Sequence, residues 1–214
     1  MTRSGDAAAD GGVRVLLIGG TSHTGKSTAA RAVADRLGFA CLSTDGLARH
    51  PGRPWPTEDR PQVPPHVAEH YTTLPADALL RSVLDHYERL WPRVEELITP
   101  YALTAGPARG LVLEGSALWP ERVARLTLPR TAAVWLTARP AVLTSRMHTT
   151  SGYDGLPVAG RRLVDAFLGR TLRYRTAMLD AAGRLGLPLL DTAPARTPDR
   201  LAAAVLDAAR TVRC

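Results

Sequence analysis

A glycine-rich segment at residues 19–28 constrains the fold more than any other part of the chain. It reads Gly-Gly-Thr-Ser-His-Thr-Gly-Lys-Ser-Thr and contains the pattern Gly-x-x-x-x-Gly-Lys-Ser. The apolar run before it, 13–18, is typical of a buried parallel strand, and residues 27–37 after it are typical of a helix. A glycine-rich turn between such a strand and helix directs backbone N–H groups at a phosphate.

Lys26 is the only lysine among the 27 lysine and arginine residues of the chain. A compact ammonium on a flexible stem can reach between two phosphates in a tight loop, whereas a planar guanidinium cannot. We therefore predict that Lys26 is catalytic and contacts the β- and γ-phosphates of ATP, and that Ser27 ligates Mg²⁺. The predicted nucleotide-binding residues are Gly20, Ser22, His23, Thr24, Gly25, Lys26, Ser27 and Thr28.

The length of 214 residues suits one α/β domain with an inserted subdomain. We expect a disordered tail at 1–12 and a single domain at 13–214. The tail has no signal-peptide features, and no apolar run is long enough to span a membrane. Cys41 and Cys214, the two cysteines, lie far apart in sequence, which suits a reducing cytoplasm. A cytoplasmic monomer or homodimer with no membrane partner is therefore expected.

The net charge of +7 and the pI of about 10.2 raise the alternative of nucleic-acid binding. The arginines are scattered along the chain, without a dense basic run and with few aromatic residues between them. This distribution favours arginines that serve phosphates of small molecules. We expect no nucleic-acid partner.

Apolar runs and helical periodicity alternate along the chain. Besides 13–18, strands are predicted at 39–43, 111–115, 131–137 and 187–190. Besides 27–37, helices are predicted at 76–98, 139–147 and 161–185, with a final one that begins near 197. This alternation predicts a P-loop NTPase fold of class α/β, with three α/β/α layers around a five-stranded parallel sheet.

Two segments of this fold are expected to surround a substrate. The proline-rich stretch up to residue 75 is predicted to hold no long regular structure, and 46–100 as a whole forms a helical substrate-binding insert. The glycine-containing stretch 148–160 is predicted to be a mobile loop within a lid at 146–162. Tyr87 and Trp91 lie on the apolar stripe of the insert helix and are expected in the core.

Acidic residues follow two of the predicted strands, at the edge where α/β sheets bind ligands. Asp45 is predicted to bind the acceptor and to orient or deprotonate its attacking hydroxyl. Its alternative is a turn residue, because Asp-Gly is a turn signal. Glu114 is predicted to hold Mg²⁺ through water beside the substrate. Its alternative is a strand-end residue at the surface.

Arginines supply the remaining candidates. Arg146 and Arg162 of the lid are predicted to be catalytic, with Arg161 and Arg139 as further candidates, because mobile arginines neutralise a phosphoryl group in transfer. Arg49 and Arg53 of the insert are predicted to bind the acceptor. The alternative for each of them is a solvated surface residue.

Two classes of phosphate-loop protein are excluded by the sequence. GTP-specific switches need an Asn/Thr-Lys-x-Asp motif, and the chain has no lysine outside the loop that could supply one. Large remodelling ATPases need a longer chain and an Asp-Glu pair after four apolar residues, which is missing.

The loop at 19–28, Asp45, Val-Leu-Glu-Gly at 112–115 and the arginine-bearing lid together resemble the nucleoside-monophosphate-kinase-like group of P-loop phosphotransferases. That group includes adenylate, shikimate and gluconate kinases. The sequence of the loop is most similar to those of chloramphenicol phosphotransferase and 2-phosphoglycerate kinase-like proteins. The resemblance implies transfer of the γ-phosphoryl of ATP, with Mg²⁺, to a hydroxyl of a small molecule. A regulatory ATPase and a nucleic-acid end kinase are the alternatives.

Overall fold

A five-stranded sheet, parallel throughout, forms the centre of the molecule. The structure, a computed structural model, describes residues 12–47, 51–58, 60–103, 109–192 and 197–210. The strands are β1 (Val15–Gly20), β2 (Ala40–Ser43), β3 (Leu111–Glu114), β4 (Thr131–Thr137) and β5 (Leu189–Asp191). Their order in the sheet is β2-β3-β1-β4-β5. The predicted α/β class and the five-stranded parallel sheet are confirmed.

Helices cover both faces of this sheet, as expected for parallel strands. They are α1 (Lys26–Leu37), α2 (Pro65–Thr73), α3 (Ala76–Leu103), α4 (Pro120–Val123), α5 (Pro140–Ser151), α6 (Val158–Arg184) and α7 (Pro198–Arg210). Helices α1 and α7 pack on one face, and α3 and α6 pack on the other. The three predicted layers are therefore present.

The central strand shows why the sequence folds in this way. All six residues of β1 are buried, so the strand reads as an unbroken apolar run. Because side chains alternate across a strand, Leu16 and Ile18 pack toward α1 and α7, whereas Val15 and Leu17 pack toward α3 and α6.

A third apolar cluster lies outside these two and is called here the side core. It joins the insert to α5 and α6, and it contains Trp55, Val67, Tyr71, Leu79, Met147, Leu163, Val164 and Phe167. Trp55 packs edge-on against Phe167, with ring centroids 5.1 Å apart. The side core therefore fixes the insert against the helices that bound the predicted lid.

The prediction of no long regular structure up to residue 75 is wrong for the end of that stretch, where α2 spans Pro65–Thr73. Proline at the first helical turn lacks only an N–H that would be unpaired anyway, so Pro65 begins the helix instead of breaking it. Helix α3 also extends five residues past the predicted end at Ile98.

The prediction of a loop over 148–160 is wrong in extent. Helix α5 continues to Ser151, a 3₁₀ turn spans Tyr153–Gly155, and α6 begins at Val158. Gly152 ends α5 in the left-handed conformation and Pro157 precedes α6. The glycine and proline there mark helix ends, not a long loop.

Some predictions fall on residues outside the described ranges. Of the predicted disordered tail, 1–12, only Gly12 is described. Arg49 and Cys214 are not. Within the described ranges, no helix combines the length and the apolar character needed to cross a membrane.

Gly115 offers a test of the close approach between β1, β3 and the turn after β2. Its φ is +155°, its N–H donates to the Ile18 carbonyl at 3.1 Å, and a Cβ there would overlap the buried side chain of Thr44. We expect Gly115→Ala to lower the free energy of unfolding by about 1–3 kcal/mol, since a well-packed site resists added volume. Urea unfolding measures it.

The matched control is Gly183→Ala in α6, where the added Cβ would meet no atom within 4 Å apart from its chain neighbours and the nearby backbone of its own helix. This change should leave stability unchanged or raise it by up to about 1 kcal/mol, because alanine is the better helix former. Equal unfolding midpoints for the two variants would contradict the packing described for Gly115.

Candidate active site

The loop between β1 and α1 has carbonyls that bind protein donors and N–H groups that do not. The Thr21 carbonyl accepts from Lys26 Nζ at 2.8 Å and from Thr24 Oγ1 at 2.9 Å. The backbone N–H groups of Ser22, His23 and Gly25 donate to no acceptor within the described part of the chain. His23 and Gly25 have φ values of 63° and 87°. Such N–H groups ahead of a helix N-terminus form a site for an anion.

Two side chains from the rest of the fold hold the outer side of this loop. Arg146 of α5 donates from Nη1 to the His23 carbonyl at 3.0 Å and from Nη2 to the Thr192 carbonyl at 3.1 Å. Thr192, just after β5, donates from Oγ1 to the Thr24 carbonyl at 2.9 Å. The loop conformation therefore depends on α5 and β5 as well as on its own glycines.

Lys26 lies inside the loop, with only 9 % of the residue exposed. Burial lowers the pKa of Lys26, and the carboxylates of Glu114 and Asp45 oppose that shift. One of its three donors binds the Thr21 carbonyl, so two remain for the oxygens of a ligand. This is the position that the sequence predicts for a lysine contacting phosphates.

Ser27 and Glu114 meet at the metal site predicted from the sequence. Ser27 Oγ donates to Glu114 Oε1 at 2.9 Å, and the Glu114 side chain is buried. No arginine, lysine or histidine of the described residues forms an ion pair with this carboxylate. Mg²⁺ typically binds one or two protein oxygens and completes its shell with phosphates and water. The pair therefore fits Mg²⁺.

Cavities lie on both sides of the loop. The first, of about 420 Å³, is lined by Ser22, His23, Gly25, Lys26, Ser27, Thr28, Thr44, Asp45, Gly52, Arg53, His86, Tyr87, Glu114, Ser116, Thr150, Phe167 and Arg170. The second, of about 570 Å³, is lined by His23, Thr24, Gly25, Thr28, Ser145, Arg146, Thr149, Thr150, Thr192 and Leu201. The two cavities share His23, Gly25, Thr28 and Thr150, so they adjoin each other at the loop.

The structure brings most of the predicted residues together but not all. Asp45 and Arg53 line the first cavity with Lys26 and Glu114. Arg146 lines the second cavity, where it binds loop and strand carbonyls. Arg162 is exposed on α6 and lines neither cavity.

Several lining residues were missed or placed differently by sequence reasoning. Tyr87, expected in the core, packs against it and also lines the first cavity. Arg170 of α6 is buried and lines the same cavity. Its spacing from Phe167 and Tyr174 puts an arginine on the buried stripe of α6, and that departure from the amphipathic pattern was the available signal.

Comparisons with known proteins bear on the fold. No protein-family model and no curated protein matches the sequence. Among solved structures, an uncharacterized protein from Eubacterium ventriosum is similar at 11 % identity over 92 % of this chain and 99 % of that chain, with a TM-score of 0.50. At this identity the likeness shows the fold alone.

Other similar structures are kinases by name, among them the following two. A gluconokinase from Sinorhizobium meliloti shares 18 % identity over 94 % of this chain and 93 % of its own, with a TM-score of 0.48. A shikimate kinase from Aquifex aeolicus shares 12 % identity over 91 % and 95 %, with a TM-score of 0.49. The narrower resemblance to chloramphenicol phosphotransferase and 2-phosphoglycerate kinase-like proteins stays a prediction.

His23 makes the site sensitive to acid. Burial, with Arg53, Lys26 and Arg146 nearby, lowers the pKa of His23 to about 4, and neither ring nitrogen has a hydrogen-bond partner within the described residues. In the unfolded chain the pKa of a histidine is about 6.5. The unfolded state therefore binds a proton first, and stability is lost as the pH falls from about 6.5 toward 4.

We expect His23→Gln to remove part of this loss. The free energy of unfolding of the variant, relative to that of the unsubstituted protein, should therefore rise as the pH falls from 7 to 4. Urea unfolding at several pH values in this window measures the difference. His66→Gln, at an exposed position of α2, is the control and should run parallel to the unsubstituted protein. A His23→Gln curve that stays parallel as well would contradict the assignment.

Proposed function

We propose that this chain is an ATP- and Mg²⁺-dependent kinase that transfers the γ-phosphoryl of ATP to a hydroxyl of a small molecule. The observation that carries the proposal is the phosphate loop between two cavities, with an available carboxylate in only one of them. A phosphoryl transferase must hold a donor and an acceptor on opposite sides of the transferred group.

The nucleoside of ATP is assigned to the second cavity and its phosphates to the loop. Lys26 binds the β- and γ-phosphate oxygens from inside the loop. Ser27 and Glu114 would hold Mg²⁺, which when bound would neutralise charge on the phosphates. Arg146 contributes by fixing the loop through the His23 carbonyl.

The acceptor is assigned to the first cavity, beside Asp45. Asp45 is the second residue of a 3₁₀ turn, Thr44–Gly46, that Ser43 caps: the Asp45 N–H donates to Ser43 Oγ at 3.3 Å. Its carboxylate has no hydrogen-bond partner within the described residues and is exposed to the cavity. A carboxylate so placed orients the attacking hydroxyl and accepts its proton.

Transfer to water alone, as in a regulatory ATPase, needs no acceptor cavity and no second carboxylate. The first cavity and Asp45 favour an organic acceptor for this reason. A movable lid that includes Arg162 is part of the proposal, since an exposed arginine at the start of α6 reaches the transferred group only if that region closes.

Lys26→Ala should abolish phosphoryl transfer and leave the fold intact, because Lys26 contacts loop and ligand and lies outside all three apolar clusters. Transfer is measured by mass spectrometry as ATP-dependent gain of phosphate in metabolite pools, and folding by thermal melting. Arg36→Ala, at an exposed position of the same helix, is the matched control. Turnover within about tenfold of the unsubstituted protein, ~1.4 kcal/mol in the barrier, would refute the phosphate role.

Asp45→Asn should lower kcat by ~10²–10⁴ and leave ATP affinity nearly unchanged, as for the loss of a general base on the acceptor side. Steady-state kinetics and calorimetric titration of ATP measure the two quantities. Asp35→Asn, exposed on α1, is the control. Collapse of ATP binding with acceptor turnover retained would move Asp45 to the metal site instead.

A further inference from the structure

Arg170 is a buried cation that faces the first cavity. Only 8 % of the residue is exposed, and it lines the cavity together with Asp45 and Arg53. Its Nη1 donates to the hydroxyl of Tyr71 at 2.9 Å, and its guanidinium carbon lies 4.3 Å from the centroid of the Phe167 ring. This guanidinium makes one hydrogen bond, as donor, and two ring contacts with the described residues.

No carboxylate of the described residues balances the charge of Arg170. Within the described residues no carboxylate lies within 4.0 Å of Arg170. The nearby phenols of Tyr71, Tyr87 and Tyr174 are neutral, because burial raises the pKa of each. A buried charge without a counter-charge is costly, and a guanidinium has five N–H donors to satisfy. An anion in the cavity would supply both the charge and the acceptors.

Tyr71 links Arg170 to the part of the insert that carries a second cation. The Tyr71 hydroxyl accepts from Arg170 and donates to the Gly52 carbonyl at 2.8 Å. The next residue is Arg53, which lines the same cavity and, like Arg170, has no carboxylate partner in the described ranges. One phenol therefore bonds both the side chain of Arg170 and the backbone of the residue before Arg53.

We propose that the acceptor carries an oxyanion, a carboxylate or a phosphate ester, that binds to Arg170 and Arg53, with Tyr71 as the positioning residue. The proposal deepens the proposed kinase function and rests on it. Arginine suits this task because its planar fork matches carboxylate and phosphate oxygens in pairs. Arg170 lines the first cavity and not the second, and its partners belong to α2 and α6, so the acceptor and not the nucleoside is its ligand.

The binding test uses the full chain with Mg²⁺ and a non-hydrolysable ATP analogue, which occupies the loop so that added anions do not bind there. Calorimetry compares pairs of compounds that differ only in charge. One arm pairs C3–C6 hydroxy acids with their primary amides, and the other pairs phosphate monoesters of polyols with the parent alcohols. The arm that binds identifies the oxyanion, and the charged member should bind about 10- to 100-fold more tightly.

Variants then assign the effect to residues. Arg170→Gln should raise the acceptor KM about 10- to 100-fold and leave the KM of ATP unchanged. Tyr71→Phe should raise the acceptor KM by a smaller factor with kcat retained, since the cation remains but loses its anchor. Arg173→Gln is the control, because Arg173 lies three residues along α6 in an exposed ion pair with Asp77.

A readout without catalysis comes from the ligand-free protein. Arg170→Gln should melt at the same temperature as the unsubstituted protein or higher, because it removes an uncompensated buried charge. A clear loss of thermal stability would show that Arg170 is a structural residue and would overturn the inference.

Other outcomes separate the inference from the proposed function. Equal binding and turnover of charged and neutral partners would overturn the anion site and leave the kinase. If Arg170→Gln lowers kcat for every acceptor and leaves the acceptor KM unchanged, Arg170 acts on the transferred phosphoryl group. That result would also overturn the anion site. Failure of the ATP analogue to bind would overturn the proposed function and the inference with it.

Discussion

The parallel pairing of β1 between β3 and β4 is the constraint on which the site depends. In this register Ile18 lies opposite Glu114, and Gly20 lies opposite Leu136. The carboxyl ends of the strands therefore reach one edge together, where the first turn of α1 lies. Strand β3 ends at Glu114, two residues before β1 ends, and Ser27 Oγ reaches the carboxylate from the first turn of α1. A slip of one residue in this register would turn the carboxylate to the opposite face of the sheet.

The sequence predicted the parts of this arrangement that are local. Strand β4 has the predicted bounds, and the phosphate loop lies between a strand and a helix as its glycines and lysine indicate. Asp45 and Glu114 lie at the ligand edge because each follows a recognisable apolar run. Helix α2 was missed since its prolines, which are helix breakers elsewhere, lie at its start.

The rest of the site depends on contacts between distant residues, which no window of sequence contains. Arg170 and Tyr71 are 99 positions apart, and Arg146 and His23 are 123 apart. Whether an arginine of α5 or α6 lies on the loop, in a cavity or in solvent is decided by packing against the insert and β5. Arg146, Arg162 and Arg170 occupy these three different environments, and only Arg170 is marked in the sequence, by its place on the buried stripe of α6.

The side core has a consequence for how a new specificity can arise. It shares no residue with the two clusters that flank the sheet, yet it joins Trp55, Tyr71, Met147 and Phe167, which come from the insert, α5 and α6 beside the first cavity. Structural units with their own apolar contacts can open and vary separately from the rest of a protein. Substitutions that repack this small unit can therefore change the shape of the first cavity while the sheet, the loop at 21–25 and their two apolar clusters stay as they are.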